Sequence, residues 1–306
     1  MVVVAGEALI DLILHPDGRV AAIPGGGPYN TARTIGRLGG EVRFLGRLSD
    51  DRFGAQLRDG LLADGVDVSA GRLTDAPTTL AIAELDADGA ATYRFHTAET
   101  AAPGLAAEDV LTAFAMAPAA VHIGTLGLVL EPIASSLAVG VANLGGETLL
   151  MVDPNCRPSV IVDRDGYLTR LARIFARADV VKVSADDLAY MATDRSARHG
   201  ARDLLDAGPT LVLLTDGGRA VWAVERGFEI ELPVPQVSVV DTVGSGDAFG
   251  GAFLAWWVEQ GLGRSELRDQ NVVGEAARRA IGVASLTCQR PGADPPTRAQ
   301  AGWPAL

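Results

Sequence analysis

The chain has 306 residues and a formal net charge of −12, and it contains no lysine and arginine cluster long enough to follow a nucleic-acid backbone. Its composition, 48% apolar with only 5% aromatic residues, predicts a core of alanine, valine and leucine in one large α/β domain, or in a core with a small accessory domain. Two cysteines, Cys156 and Cys288, without a CxxC spacing and four scattered histidines exclude a disulfide framework and the common zinc motifs.

The first segment of the chain, residues 1–14, is apolar but contains Glu7 and Asp11, and no basic region precedes it. We therefore expect it to form a first strand rather than a signal peptide. No segment approaches the roughly 20 consecutive apolar residues that a membrane-spanning helix needs. The expected protein is cytoplasmic, and its partners are neither nucleic acid nor a membrane.

Strand-like and helical segments alternate along the chain. The predicted strands are residues 2–5, 42–45, 121–123, 148–152, 180–183 and 211–215. The predicted helices between them include residues 29–38, 56–62, 168–177 and 185–192. This alternation predicts an α/β fold, a doubly wound and mostly parallel sheet with helices on both faces.

Two segments depart from this alternation and are typical of antiparallel hairpins. Residues 9–14 and 19–23 flank the turn His15-Pro-Asp-Gly18, and residues 79–85 and 91–96 flank the turn Asp86-Ala-Asp-Gly89. Together they predict a small β-sheet lid, a discontinuous part of a single domain over residues 1–306, built from about 9–24 and 77–100. Because sheet edges can pair between chains, a homodimer through the lid is one expected assembly.

The most informative segment is Asp241-Thr-Val-Gly-Ser-Gly-Asp-Ala-Phe249, which follows an alternating, extended stretch over residues 228–240. Apolar side chains then recur at helical spacing, which places Asp247 in the first turn of a helix. Unpaired amides and the helix dipole favour an anion there, and Gly244 and Gly246 let its oxygens approach the backbone. A carboxylate at this position suits a base that takes a proton from a hydroxyl attacking phosphorus. The alternative is that Asp247 only caps a buried helix.

The common nucleotide-binding motifs are absent from the sequence. There is no GxxxxGKS or GxxxxGKT run and no protein-kinase signature, and Asn30 and Phe249 stand where GxGxxG needs its third glycine. A Rossmann dehydrogenase is therefore disfavoured. The helix start at Gly244, Ser245 and Gly246 remains the candidate site for nucleotide phosphates.

These motifs resemble, in order and spacing, the ribokinase/PfkB family of sugar kinases, and the resemblance runs from Gly6 to about Gly292. The run that ends at Phe249 resembles the C-terminal signature of that family. The N-terminal signature and the segment after it resemble Pro24-Gly-Gly-Gly-Pro-Tyr-Asn30 with Gly36-Arg-Leu-Gly39, and Gly46-Arg-Leu-Ser-Asp-Asp-Arg-Phe-Gly54. The resemblance implies a ribokinase-like fold that uses ATP and Mg²⁺. It also implies that Asp247 is the general base and that the amides of Gly244, Ser245 and Gly246 form an anion hole.

The resemblance assigns the sugar hydroxyls to Asp11, Gly26, Gly27 and Asn30. A carboxylate, an amide and a bare backbone suit this ligand, because burying a sugar hydroxyl without a partner costs about 1–3 kcal/mol. Two alternatives remain open at this stage. Asp11 can be a strand-end acid in solvent, and Asn30 can be a helix cap after Pro28.

The run Asp153-Pro-Asn-Cys-Arg157 follows a strand, at the sheet edge where ligands of doubly wound folds bind. Fructokinase-like and ketodeoxygluconate-kinase-like members carry a similar run, which implies that Arg157 meets phosphates or substrate. A planar guanidinium suits charge that is spread over phosphoryl oxygens. The alternative is a surface ion pair between Arg157 and Asp153.

Four residues are assigned to the nucleotide by the same resemblance. Ser184 and Asp187 replace the Asn-x-x-Glu pair with which the family organises magnesium and phosphates through water, and the shorter carboxylate would need one more water. Thr215 and Gly217 resemble a nucleotide-side Thr-x-Gly loop, although a tight turn between two strands explains them equally well.

Family members often bind a monovalent cation beside the anion hole. The resemblance places a possible K⁺ near Asp241 and Val243 and near a C-terminal segment similar to Arg290-Pro-Gly-Ala293.

The expected acceptor is D-fructose. The runs Gly6-Glu-Ala-Leu-Ile-Asp11, Pro77-Thr-Thr79 and Asp153 to Arg157 resemble fructokinases more than ribokinases. However, Phe95-His-Thr97 lacks the arginine that commonly ends the second hairpin in fructokinases, which implies different lid contacts. The alternatives are a 2-keto-3-deoxygluconate kinase, a ribokinase or nucleoside kinase of the same family, and a non-catalytic sugar- or nucleotide-binding regulator.

Overall fold

The computed structural model describes residues 1–86, 91–192 and 195–305. In chain order, its strands are β1 (Val2–Ala5), β2 (Leu9–Leu14), β3 (Val20–Gly25), β4 (Val42–Leu45), β5 (Leu48–Ser49), β6 (Leu73–Thr74), β7 (Leu80–Leu85), β8 (Ala91–His96), β9 (Ala120–Gly124), β10 (Leu149–Asp153), β11 (Val180–Ser184), β12 (Leu211–Thr215), β13 (Ala220–Glu225) and β14 (Phe228–Pro233). The helices are α1 (Gly27–Arg37), α2 (Arg52–Ala63), α3 (Ala107–Phe114), α4 (Ile133–Ala142), α5 (Arg164–Phe175), α6 (Ala185–Met191), α7 (Ala197–Leu205), α8 (Ser245–Glu259) and α9 (Gln270–Thr287).

The main sheet has the order β14-β13-β12-β11-β10-β9-β1-β4. All neighbours from β4 to β12 pair in parallel, while β13 and β14 add an antiparallel edge. Helices α1, α2, α8 and α9 pack on one face, and α3 to α7 pack on the other. The predicted doubly wound, mostly parallel α/β sheet with helices on both faces is therefore confirmed.

Three of the central strands, β1, β10 and β12, are near-continuous apolar runs because helices cover both of their faces. β1 is Val-Val-Val-Ala with every residue buried, and β10 and β12 are equally inaccessible over their first four residues. Alternating polar residues would be buried against one helix layer or the other, so parallel strands of this kind exclude them. The polar residues collect instead at the carboxyl ends, where β10, β11 and β12 end in Asp153, Ser184 and Thr215.

The antiparallel edge differs in part from the sequence-based expectation. The extended stretch predicted over residues 228–240 forms a strand only as far as Pro233. Proline removes a backbone donor, and a second proline at Pro235 follows closely, so ladder pairing ends there. β13 pairs with both β12 and β14 through antiparallel ladders.

A second, small sheet has the order β3-β2-β7-β8. Each half is an antiparallel hairpin, and the parallel pairing of β2 with β7 joins the two hairpins into one sheet. Most of the turn predicted between β7 and β8, residues 87–89, lies outside the described residues. No helix in the described parts of the chain is both long and apolar enough to span a membrane.

Candidate active site

A cavity of about 1070 Å³ lies between the small sheet and the carboxyl edge of the main sheet. One wall comes from β2, β3, β7 and β8, and the other comes from the loops after β9 to β12 and the start of α8. Every site residue predicted from the sequence lines it: Asp11, Gly26, Gly27, Asn30, Arg157, Ser184, Asp187, Thr215, Gly217, Asp241, Val243, Gly244, Ser245, Gly246 and Asp247. We call the part around Asp11, Asn30 and Asp247 the acceptor end, and the part around Asp187 and Thr215 the nucleotide end.

Asp247 is the third residue of α8 and is only 8% exposed. The helix cap is Gly244, and Asn30 Nδ2 donates a hydrogen bond of 2.9 Å to Asp247 Oδ2. The alternative of a capping aspartate is therefore wrong, since another residue is the cap. Burial raises the pKa of Asp247, and the hydrogen bond from Asn30 and the charges of Lys182 and Arg157 oppose this rise. A carboxylate with a raised pKa is a stronger base than an exposed one, which suits proton abstraction.

The glycines before Asp247 are required by their surroundings. Gly244 has a φ of +74°, and a Cβ there would lie 2.4 Å from the Cβ of Ala293. The amide and the hydroxyl of Ser245 both donate to the Thr242 carbonyl, at 3.2 and 2.9 Å. The Ser245 amide, which was predicted to belong to the anion hole, therefore already has an acceptor within the loop, and the Ala248 amide bonds back to Gly244. The amides of Gly246 and Asp247 remain at the helix start as donors for an anion.

Asn30 lies inside α1 and is not its cap. The N-cap is Gly26, with a φ of +108°, and the Asn30 amide already donates to the Gly26 carbonyl. The predicted alternative of a helix cap after Pro28 is therefore wrong. Asn30 Oδ1 is buried and has no hydrogen-bond partner in the part of the chain that the structure describes. A buried amide oxygen of this kind needs a donor, and a ligand hydroxyl is one.

The backbone at Gly26 and Gly27 approaches other groups too closely for a side chain. A Cβ at Gly26 would lie 2.8 Å from the Glu7 carbonyl oxygen, and one at Gly27 would lie 2.3 Å from Thr125 Oγ1. The same position at Gly27 is 3.4 Å from Asp247 Oδ1. Gly26 therefore allows close backbone packing against Glu7, and Gly27 keeps the space beside the carboxylate of Asp247 free of a side chain.

Asp11 lies in the middle of β2 and its carboxylate faces the cavity beside Gly25. Burial raises the pKa of Asp11 to about 6, the charge of Asp247 adds to this rise, and Arg157 opposes it. The alternative of a strand-end acid in solvent is therefore wrong. The acceptor end brings two carboxyl groups and one amide together around the same space.

Glu7 is a site residue that sequence reasoning missed. It is 1% exposed and lines the cavity, and its two oxygens accept the amides of Gly27 at 3.2 Å and Gly127 at 2.9 Å. Burial raises the pKa of Glu7 to about 8 despite these hydrogen bonds. Its carboxyl group joins the start of α1 to the 3₁₀ helix Thr125–Leu128. In the sequence, an acidic residue between two apolar strands was the signal that could have indicated this role.

Arg157 does not pair with Asp153, so that alternative is wrong. Asp153 Oδ2 instead accepts a hydrogen bond of 2.8 Å from Lys182 Nζ, and both residues are buried. Arg157 Nη1 donates to the carbonyls of Asn155 and Cys156, each at 3.3 Å, and Arg157 forms no ion pair with any residue that the structure describes. Its guanidinium is free to face the cavity, where its charge opposes the raised pKa values of Asp11 and Asp247.

Ser184 and Asp187 form a capping box at the start of α6. Asp187 Oδ2 accepts from the amide and the hydroxyl of Ser184, and Asp187 Oδ1 accepts from the Cys156 amide at 2.6 Å. The carboxylate therefore holds the loop that carries Arg157 as well as capping the helix. Asp187 is also one of the residues that line the cavity.

Thr215 and Gly217 lie at the turn between β12 and β13. Gly217 has a φ of +53°, and nothing lies within 4 Å of a Cβ placed there. Thr215 Oγ1 donates to the Val183 carbonyl at 3.3 Å. The tight turn between two strands, which was the alternative explanation of these residues, is therefore present. Thr215 and Gly217 also line the nucleotide end of the cavity.

Asp241 joins the loop before α8 to the C-terminal segment. Its Oδ1 accepts the Val243 amide at 3.0 Å, and its Oδ2 accepts the Gly292 amide at 2.8 Å. The two segments predicted to flank a monovalent cation are therefore neighbours. No cluster of three or more His, Cys, Asp or Glu side chains suited to a metal occurs within residues 1–86, 91–192 and 195–305.

The chain is similar to known proteins over nearly its whole length. Residues 1–300 match the model of the pfkB family carbohydrate kinases. A fructokinase of Klebsiella pneumoniae is 35% identical over 264 residues, which cover 85% of each chain. A crystal structure of a fructokinase from Xylella fastidiosa with bound ATP superposes with a TM-score of 0.90 at 28% identity, covering 98% of this chain and 96% of that one. An aminoimidazole riboside kinase from Salmonella enterica, in complex with aminoimidazole riboside and an ATP analogue, superposes with a TM-score of 0.83 at 25% identity, covering 99% and 97%.

Proposed function

The chain belongs to the pfkB family of carbohydrate kinases and is an ATP-dependent sugar kinase, and we propose that it transfers the γ-phosphoryl group of ATP to a primary hydroxyl of D-fructose. One observation carries the proposal. Asp247, buried and with a raised pKa, lies beside the unpartnered Asn30 Oδ1 at the start of α8. A proton acceptor, an acceptor for a sugar hydroxyl and free helix-start amides therefore share one cavity.

In the proposed reaction, Asp247 takes the proton of the sugar hydroxyl as its oxygen attacks the γ-phosphorus. The amides of Gly246 and Asp247 donate to the phosphoryl oxygens, and Arg157 neutralises charge that develops on them. Mg²⁺, when bound together with ATP, would draw charge from the outer phosphates.

We assign the small sheet the role of a lid. Its strands carry Asp11, Ile23 and Phe95 into the cavity wall opposite the carboxyl edge of the main sheet. Closure over a bound sugar would exclude water and so limit the hydrolysis of ATP. At the other end, Thr215 and Gly217 are assigned to the nucleotide, and Ser184 and Asp187 to holding the loop beside its phosphates.

The charge of the acceptor end favours a neutral sugar over an acidic one. Glu7, Asp11 and Asp247 lie close enough for the charge of Asp247 to raise the pKa of the other two. The carboxylate of 2-keto-3-deoxygluconate would add a further negative charge to this group, with Arg157 as the nearby cation. D-fructose adds none, and its hydroxyls match the unpartnered oxygen of Asn30.

A riboside kinase is the second candidate, and an aromatic pair on the small sheet favours it. Tyr93 and Phe95 stack with ring centroids 6.3 Å apart and 20° between planes, and both line the cavity. A flat heterocycle would find a stacking surface there.

The deciding experiment measures ADP release from Mg-ATP by the purified protein. The acceptors are D-fructose, D-ribose, tagatose, D-glucose, 2-keto-3-deoxygluconate, adenosine and aminoimidazole riboside, each with and without K⁺. We expect the highest kcat/KM with D-fructose. A higher value with a riboside would replace the proposal by the second candidate, and no acceptor-dependent ADP release with ATP binding retained would indicate a regulator.

Two finer proposals concern a cation and assembly. The loops joined by the Asp241 to Gly292 hydrogen bond are proposed to bind K⁺ through backbone carbonyls, so K⁺ should raise kcat relative to tetramethylammonium at equal ionic strength. The outer strands β3 and β8 leave sheet edges that can pair between chains, and we propose a homodimer through them. Light scattering that gives a monomer mass at assay concentrations would contradict this assembly.

A further inference from the structure

Lys182 is a buried cation directly under the start of α8, and neither the sequence motifs nor the proposed mechanism uses it. It lies on β11, between two buried valines, and its ammonium group donates 2.8 Å to Asp153 Oδ2. The side chains of both partners are about 5% exposed or less. The carboxylates of Asp153 and Asp187 raise the pKa of Lys182 although burial alone would lower it, so the lysine keeps its proton.

The ammonium group points at the anion hole. A Cβ built on Gly246 would lie 2.8 Å from Lys182 Nζ, and Lys182 is itself part of the cavity wall. The glycine is therefore needed at this position to let the cation approach the first turn of α8. The positive end of the helix and the lysine charge meet at the same point.

The donor capacity of Lys182 exceeds its bonding. An ammonium group carries three N–H donors, and the hydrogen bonds found within the described chain use one of them, to Asp153. Asp153 Oδ1 is buried and has no hydrogen-bond partner among the residues that the structure describes. The neighbouring His122 is neutral, because burial and the charge of Lys182 lower its pKa to about 3. A buried cation with two spare donors facing a cavity can donate charge-assisted hydrogen bonds to an anionic ligand group.

We propose that Lys182 is a catalytic residue that donates hydrogen bonds to the oxygens of the phosphoryl group as it passes from ATP to the acceptor. In this step the bond between the γ-phosphorus and its bridging oxygen breaks, the bond to the sugar oxygen forms, and the hydroxyl proton goes to Asp247. Lys182 keeps its own proton throughout and neutralises charge on the oxygens. Asp153 is its fixed counter-ion and touches no substrate. This inference rests on the proposed kinase function.

Three variants test the inference: Lys182→Met, Asp153→Asn and the double variant that carries both changes. The double variant is the matched control, because it removes both charges of a buried pair and leaves no unpaired ion. We expect it to fold, to bind ADP within about threefold of the wild type, and to lose about 10²-fold in kcat, the size of effect seen when one oxyanion donor is removed. Asp153→Asn keeps the lysine, so its kcat should stay at least tenfold above that of the double variant.

A binding measurement separates contact with the phosphoryl group from a general change in the site. Calorimetry compares a non-hydrolysable ATP analogue with ADP in the wild type and in the double variant. Loss of the γ-phosphate contact should lower the affinity for the analogue at least tenfold while the affinity for ADP is kept. Equal losses for both nucleotides would overturn the inference.

Two kinetic outcomes would also overturn it. A double variant with kcat within threefold of the wild type would make Lys182 a structural partner of Asp153 only. An Asp153→Asn variant as slow as the double variant would assign the effect to the pair as a unit. If the proposed function itself were wrong, the wild-type protein would phosphorylate no acceptor, and this result differs from both of these outcomes.

Discussion

The two ends of the cavity differ in how many hydrogen bonds their polar side chains form within the protein. At the acceptor end, Asn30 Oδ1 has no partner among the described residues, and Asp11 and Asp247 have raised pKa values. At the nucleotide end, the carboxylate of Asp187 accepts three hydrogen bonds from the protein, and Asp216 pairs with Arg219. The acceptor end therefore keeps hydrogen-bonding groups for a ligand, whereas the carboxylates at the nucleotide end are largely satisfied by the protein itself.

This difference indicates how each end recognises its ligand. Unpartnered buried groups discriminate strongly, because a ligand that lacks the matching hydroxyl leaves them unpaired. The nucleotide end offers backbone amides, open glycine turns and cations, which suit phosphates without demanding one exact shape. Substitutions at the acceptor end should therefore change catalysis and sugar selectivity, whereas those at the nucleotide end should change stability first.

The largest effect is expected for Asp247→Asn, where the two ends meet. The amide oxygen can still accept from Asn30 Nδ2, so folding and ATP affinity should change little. Proton abstraction is lost, and we expect kcat to fall about 10³-fold, within the usual range for a general base. Steady-state kinetics with D-fructose checks this. A variant with more than a tenth of the wild-type kcat would remove the assignment of Asp247 as the base.

Asn30→Ala tests the acceptor end by itself. The variant removes the buried oxygen that awaits a hydroxyl donor and also the hydrogen bond to Asp247. We expect the KM for the sugar to rise about 10- to 100-fold and the KM for ATP to change less than about twofold. Thr34→Ala is the matched control on the same helix, because the Thr34 hydroxyl donates to the Asn30 carbonyl and Thr34 does not line the described cavity wall. Equal effects of both changes on the sugar KM would contradict a direct contact.

Asp187→Ala tests the nucleotide end. It removes the capping box of α6 and leaves the Cys156 amide without its acceptor. We expect the free energy of unfolding to fall by about 1–3 kcal/mol, measured by urea titration. The KM for ATP should rise less than about tenfold, because the backbone amides and cations of the site remain. A larger rise in KM without loss of stability would show that the carboxylate serves the nucleotide directly and would end the contrast between the two ends.

Sequence patterns predicted most of the fold because they are local. Short, mostly apolar runs located β1, β4, β9, β10, β11 and β12, and turn residues located the first hairpin. Helix ends differ by several residues, as for α2, which begins at Arg52 rather than at residue 56. Its cap is Asp51, whose side chain accepts the Gly54 amide, and this cap lies beyond the apolar periodicity that predicted the helix.

The residues that the motifs missed are those whose role depends on distant neighbours. Glu7 binds amides 20 and 120 positions away, and Lys182 pairs with Asp153 across adjacent strands. No local pattern contains such pairings. A lone lysine within a Val-Val-Lys-Val strand and a lone acid between two apolar strands were nevertheless visible, because a fully buried parallel strand keeps a charge only with a partner.

Glu7 is the source of the last predicted effect, which concerns the pH dependence of stability. The folded chain raises its pKa from 4.5 to about 8, so between these values the folded state holds a proton that the unfolded state releases. The unfolded state binds fewer protons there, and the free energy of unfolding therefore falls as pH rises, by at most about 1.4 kcal/mol per pH unit. Glu7→Gln has no proton to lose, so its stability relative to the wild type should increase steadily from pH 4.5 to 8.

Asp11→Asn is the matched control for this measurement, because the two acids differ in where the effect should end. The pKa of Asp11 is raised only to about 6, so the stability difference between Asp11→Asn and the wild type should stop changing above that pH. Urea unfolding of the three proteins at half-unit pH steps compares the two curves. If the Glu7→Gln curve also becomes level near pH 6, the carboxyl group of Glu7 is ionised at neutral pH. The acceptor end would then hold a third negative charge beside Asp247, and a neutral sugar would be favoured over an acidic one more strongly still.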